Sequence, residues 1–255
     1  MAINLPALGQ KLVRYRELFQ ETVDEAAVAT SIQAERLHAI ERGAIEATGD
    51  EILILADHYR CDFKFFISDD RVAPFDETDE LYRANGGEFS KFDRRAIQEF
   101  LHLCETEAFL VGELGRTALT FEFLPRGTFF KGHGAAAADA LRTALGYRDH
   151  ELPRDIYSEF RRVGLHIFRR RLGNSNISGV FVLHPTAGNC ALVTASEDIY
   201  RQRFSAAHEM AHAIFDAGGQ GERHVCARGR RPPRDPRQPI RVLLFDAAGI
   251  PRAFA

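Results

Sequence analysis

The chain has few cysteines for its 255 residues, and the four it has, Cys61, Cys104, Cys190 and Cys226, are far apart with no C-x-x-C pair. That spacing argues against a disulfide framework and against a cysteine zinc site, and it leaves the four as buried apolar residues. No apolar run approaches the ~18 residues of a membrane span. Residues 1–6, Met-Ala-Ile-Asn-Leu-Pro, lack the basic and apolar regions of a secretory leader. A cytoplasmic protein with no membrane partner is the expectation. With 45% hydrophobic and 27% charged residues the composition is that of an ordinary globular protein. The length admits two modest domains, each able to bury a core.

Residues 204–215, Phe-Ser-Ala-Ala-His-Glu-Met-Ala-His-Ala-Ile-Phe, form an apolar, Ala-rich run that reads as helix. His208 and His212 stand at i and i+4, one turn apart on one face, so both imidazoles reach a single tetrahedral metal ion. Glu209, one residue past the first histidine, is placed to orient and deprotonate a water at that metal, the hydrolytic reading of His-Glu-x-x-His. The alternative is a helix that carries two histidines by chance. Before it, residues 177–183 and 189–194 read as short β-rich runs on either side of a His-Pro-Thr-Ala-Gly turn. Residues 200–204 then lead into the helix. Single histidines such as His166 and His184 read as strand or turn residues.

The order Ile-Ser-Gly, strand, strand, Arg-x-Arg-Phe-Ser-x-Ala-His-Glu-x-x-His resembles the ImmA/IrrE family of small zinc metallopeptidases over residues 135–217. The resemblance implies zinc as cofactor, His208 and His212 as ligands and Glu209 as general base. It also implies a protein substrate, a helix-turn-helix repressor whose cleavage switches on stress or mobile-element genes. A third ligand is implied as well, an acidic residue on a following helix. In this chain that region, residues 228–239, holds five arginines and four prolines and cannot be an ordinary helix. It offers Asp235 as its carboxylate, while Glu222, His224 and Asp216 lie nearer the motif. Two explanations fit. Either a substitute ligand completes the site, Asp235 first and Glu222 in its place, or the domain lacks its last helix and serves as a non-catalytic sensor or partner module. The Pro/Arg-rich run itself reads as a disordered segment.

Residues 8–67 read as all-helical. Leu8, Leu12, Tyr15 and Leu18 recur at helical spacing and predict a first helix ending near Phe19. Thr22 with Glu25 three residues on predicts a capping box that opens a second helix to Ala29. A break at Thr30-Ser31-Ile32 precedes a third helix, residues 33–41, closed by Gly43. Residues 50–59 form a fourth, with Ile52, Leu53, Leu55 and Ala56 facing inward, and residues 63–67 a fifth. Two short helices joined by a tight turn resemble the helix-turn-helix of the Cro/C1 (XRE-type) family, with Ser31 where that turn usually has glycine. The resemblance places the third helix in the major groove, so Gln33, Ala34, Glu35, Arg36 and His38 are the candidate contacts to an operator. Arg36 suits a guanine edge and Gln33 an adenine or a phosphate. Residues 1–68 carry seven Lys or Arg against eleven Asp or Glu, a difference of minus four that opposes tight DNA binding. A homodimer would offset it by doubling the contacts. The alternative is a protein-interaction domain that keeps the fold without the DNA.

Between these parts, six acidic residues around Pro74 mark a linker. A long helix from Ser90 to Gly115 follows, striped by Ile97, Phe100, Leu101, Cys104, Ala108, Val111 and Leu114; that stripe suits packing within the chain or a second copy. Residues 119–124 alternate weakly, as an edge strand does. A helix over 135–145, another over 155–162 and a strand over 164–168 lead to the two β-rich runs, a small antiparallel sheet. The expected architecture is therefore α+β: an all-α helix-turn-helix domain (1–68), an acidic linker (69–89), a connecting long helix and loop (90–134), a small α+β zincin-like metallopeptidase domain (135–227) and an atypical Pro/Arg-rich C-terminal segment (228–255).

Overall fold

The computed structural model describes residues 3–68, 89–124, 130–148, 151–215 and 224–227. These fall into two compact units, Met1–Leu103 and Cys104–Ala255.

The first unit is helical. Asn4 caps α1 (Leu5–Leu18), its Oδ1 accepting from the Ala7 N–H at 3.2 Å, and the helix buries Leu8, Leu12, Tyr15 and Leu18. In α2 (Val23–Thr30) the capping box forms as the sequence predicts. Thr22 Oγ1 accepts from the Glu25 N–H at 3.2 Å, and Glu25 Oε2 accepts from the Thr22 N–H at 2.8 Å. The chain then turns at Ser31, held left-handed at φ 58°, and enters α3 (Ala34–Glu41). Leu37 and Ile40 point into the core, and α3 packs on α1 so closely that a Cβ at Gly9 would meet the Ile40 carbonyl oxygen at 3.0 Å. Arg16 on α1 donates to the buried Glu41 on α3 through Nε at 2.8 Å and Nη2 at 3.0 Å, pairing a charge that burial would otherwise penalise.

A second capping box opens α4 (Gly49–His58): Glu51 N–H donates to Thr48 Oγ1 at 3.2 Å and Thr48 N–H to Glu51 Oε2 at 2.8 Å. Ile52, Leu55 and Ala56 are buried. Leu53, expected inward, is 52% exposed, because it lies off the stripe that the other three share. Phe65 and Phe66 of α5 (Phe63–Ile67) close an aromatic cluster with Tyr15, Phe19 and Tyr59. The long helix α6 (Lys91–Glu113) follows. Ser90 and Asp93 cap each other at its start. Within the first unit, Lys91 pairs with Glu25, Arg95 with Glu21, and Arg94 donates to the Leu18 carbonyl. Ile97, Phe100, Leu101 and Cys104 are buried as the stripe predicts, whereas Leu114 is 65% exposed.

Among the described residues of the second unit, three helices beyond the end of α6 pack with a four-stranded sheet. They are α7 (Phe130–Ala144), α8 (Ile156–Arg162) and α9 (Ile199–Phe215); the strands are β1 (His166–Arg170), β2 (Ile177–His184), β3 (Gly188–Thr194) and β4 (His224–Ala227). The strand order is β1-β3-β2-β4. β2 pairs antiparallel with β3 and with β4, while β1 runs parallel to β3, His166 opposite Cys190. The sheet is thus mixed where an all-antiparallel one was expected. Residues 119–124 form no strand; their backbone link to the unit is Leu119 N–H to the Arg162 carbonyl at 2.7 Å. α7 starts five residues before the expected Ala135, through Gly132 and Gly134. Packing of Ala137, Ala138 and Leu141 into the core with α9 outweighs the poor helix propensity of those glycines.

Candidate metal centre

Asp198 starts α9 by accepting from the Tyr200 and Arg201 N–H groups, each at 3.0 Å, so the Arg-x-Arg-Phe segment lies inside the helix rather than before it. From Ser205 to Ala213 every residue of α9 is buried. Ala206, Ala207 and Ala211 are the reason: side chains this small let the helix lie close on β2, β3 and the core formed with α7. The polar residues of the motif are thereby carried under the surface, with His208 7%, His212 3% and Glu209 0% exposed.

The two imidazoles converge. His208 Nε2 and His212 Nε2 are 3.2 Å apart, with the rings edge to face. Two nitrogens sharing a tetrahedral zinc at ~2.0–2.1 Å from each would stand about 3.3–3.4 Å apart. The spacing of the pair is close to that of two nitrogens on one zinc ion. Phe181 of β2 stacks on the His212 ring at 5.7 Å between centroids and fixes its plane. Glu209 lies against Gly179 of the same strand: a Cβ there would run into Glu209 Oε1, with Cδ at 3.1 Å and the Leu192 carbonyl oxygen at 3.2 Å. The Ile-Ser-Gly run is visible in the sequence as a strand start, but the reason for its glycine is not. Next to it, the buried Ser178 hydroxyl donates to Glu197 Oε1 at 2.8 Å, and Arg201 Nε to the same oxygen at 3.1 Å, which ties β2 to the first turn of α9.

Among the described residues no group of three or more His, Cys, Asp and Glu is placed to hold a metal ion. Asp235, Glu222 and Asp216 lie outside the described residues. The His224 backbone is at the start of β4, in register with Phe181. Two other histidines of the unit have structural partners. His184 Nδ1 accepts from the Thr186 N–H at 3.3 Å and the Ala187 N–H at 3.1 Å, shaping the β2–β3 turn, and its Nε2 is 3.4 Å from Glu105. His166 Nδ1 is 2.8 Å from Glu107, which also accepts from Arg161 at 3.0 Å. Burial pushes the Glu107 carboxyl up, but the bond from His166 and the charge of Arg161 outweigh it and hold it below the usual range.

Residues 160–247 match the family model of the IrrE N-terminal-like domain, peptidase M78. No curated protein and no solved structure matches the chain significantly. The second unit therefore carries a peptidase-like domain, and His208, Glu209, His212, Gly179 and Phe181 all fall inside the matched stretch. No described helix is long and apolar enough to cross a membrane.

In the first unit, the candidate DNA contacts lie on α3 and at the residue before it. Gln33, Glu35 and His38 are exposed, while Ala34 and Arg36 are half-buried. Arg36 is held by Glu51 of α4: Nε and Nη2 donate to the two carboxylate oxygens, the Nη2 bond at 2.8 Å. The sequence offers no local signal for this pair, because the two residues belong to different helices.

Proposed function

We propose that this chain is a cytoplasmic, two-part bacterial regulator, in which an ImmA/IrrE-like zinc metallo-endopeptidase domain follows a helix-turn-helix domain that binds an operator. The observation that carries the peptidase part is the 3.2 Å approach of His208 Nε2 to His212 Nε2 on a buried helix, with Glu209 between them in sequence. His208 and His212 would hold zinc, with Asp235 or Glu222 as the third ligand. Zinc bound there supplies Lewis acidity toward water and a carbonyl oxygen. Glu209 accepts the proton of the attacking water and passes it to the leaving amine. Its burial against Gly179 fixes the carboxylate and keeps bulk water from competing for that proton. The substrate class is a protein, with a helix-turn-helix repressor as the first candidate by resemblance. The DNA-binding part is supported by α2 and α3 joined through a left-handed Ser31, and by the exposed residues on α3.

The test is metal content of the purified full chain by mass spectrometry, wild type beside a His208→Ala, His212→Ala double variant, followed by digestion of a peptide library. About one zinc per chain in wild type, lost in the double variant, with cleavage that Glu209→Gln abolishes, is the expected outcome. A wild type that takes up no added zinc leaves the domain as a non-catalytic sensor and overturns the enzyme reading.

A further inference from the structure

We infer that Glu51 is a positioning residue for base reading: it locks the Arg36 guanidinium so that the opposite edge of the fork is presented to a guanine. The inference rests on the operator-binding reading of the first unit. Glu51 is itself fixed before it meets Arg36. As the third residue of α4 it completes the capping box, with Oε2 accepting from the Thr48 N–H at 2.8 Å and its own N–H donating to Thr48 Oγ1 at 3.2 Å. The same carboxylate then takes Arg36 side-on, Oε1 from Nε and Oε2 from Nη2. The bond to Arg36, ahead of the opposing effect of burial and the further bonds from Thr48, lowers the Glu51 pKa to about 2, so the partner stays ionised wherever binding is assayed.

The geometry divides the guanidinium in two. Its Nε/Nη2 edge belongs to Glu51, and its Nη1 and outer Nη2 hydrogens form the end of the fork that fits guanine O6 and N7. Arg36 sits in the first turn of α3, its side chain 38% exposed, in the part of a recognition helix that meets base edges. A free arginine loses rotamer entropy when it binds a base; one already held in plane loses less. The pairing has a second effect. It cancels the charge of Arg36 toward phosphate, so this side chain contributes to sequence preference rather than to general affinity. That division suits a unit whose balance is minus four over residues 1–68.

The test is selection from a randomised duplex pool by the full chain at ~50 mM salt, where phosphate attraction is strong, with sequencing of the bound fraction and anisotropy on the selected site. Wild type should enrich a guanine at one position of its site. Arg36→Ala should lose that preference, on the order of 10-fold or more. Glu51→Gln keeps an oxygen for the Thr48 cap, and should lower the preference by at least about 5-fold while total binding holds or rises, because a negative charge is removed. If Glu51→Gln unfolds by circular dichroism, Glu51→Asp serves instead: it keeps a carboxylate in the first turn of α4, is one methylene too short to hold both guanidinium nitrogens, and should lower the preference likewise. Full guanine preference in Glu51→Gln, or in Glu51→Asp where that variant stands in, would leave Glu51 as only a helix cap and overturn the inference. A wild type that binds no duplex at all overturns the operator reading and the inference with it.

Discussion

Gly179 carries no side chain, and the space a Cβ would occupy is taken by the Glu209 carboxylate on one side and the Leu192 carbonyl on the other. The strand is held from both sides, because Gly179 is paired with Val193 of β3 and Cys226 of β4 at once. A methyl group at this position therefore displaces Glu209 rather than the sheet. Gly179→Ala should lower Glu209-dependent peptide cleavage by about 100-fold, the usual scale for a misplacement of order 1 Å, and destabilise the fold by about 1–3 kcal/mol through overpacking. Zinc content should stay at the wild-type level, because His208 and His212 are held by α9 and Phe181. Cleavage assays beside metal analysis and urea midpoints check the three together; unchanged cleavage would show that the carboxylate needs no such confinement. At this scale the sequence is informative only where the chemistry is local. His208, Glu209 and His212 are legible from their spacing, since one helical turn sets their geometry. Gly179 and Glu51 are not, because each acts on a side chain from another element.

Helix boundaries in the first unit follow from residues three apart, which is why they are legible: Thr22 with Glu25 forms the predicted box, and the Thr48 and Glu51 pair carries the same sequence signal. The sheet is less so. Pairing of β1 with β3 is parallel and skips over β2, and nothing in a strand's own residues states the direction of a partner reached through a long connection. The α2–α3 turn lies between these cases. Ser31 stands where glycine is usual, and it does adopt φ 58°, a conformation that disfavours side chains by roughly 1–2 kcal/mol. Glycine relieves that strain but gains entropy in the unfolded chain, so Ser31→Gly should stabilise the helical unit by about 0.5–1 kcal/mol. A higher urea midpoint for the α-helical signal is the expected reading. A lower one would mean that the serine side chain supports the turn in a way its backbone does not reveal.

With one core of Leu8, Leu12, Tyr15, Phe19, Leu37, Ile40 and Tyr59, and another of Ala138, Leu141, Phe160, Ile167, Phe181, Val193 and Ala207, the chain contains two units that each bury their own apolar surface. Such units should unfold as separate cooperative transitions. Only the second holds the His208 and His212 pair, so a metal that binds the folded state should move one transition and leave the other in place. Zinc at about 100 times its dissociation constant stabilises by about 2.7 kcal/mol, and in a unit of about 150 residues that raises the midpoint by about 5–10 °C. Calorimetry of the full chain with and without zinc should show the shift in one transition, and the His208→Ala, His212→Ala variant should not show it. If both transitions move together, the units are coupled and metal occupancy is felt by the helical unit, as the proposed sensor role requires. If neither moves, the two histidines make no more than a packed pair inside a peptidase-like core, and the non-catalytic reading of the second unit stands.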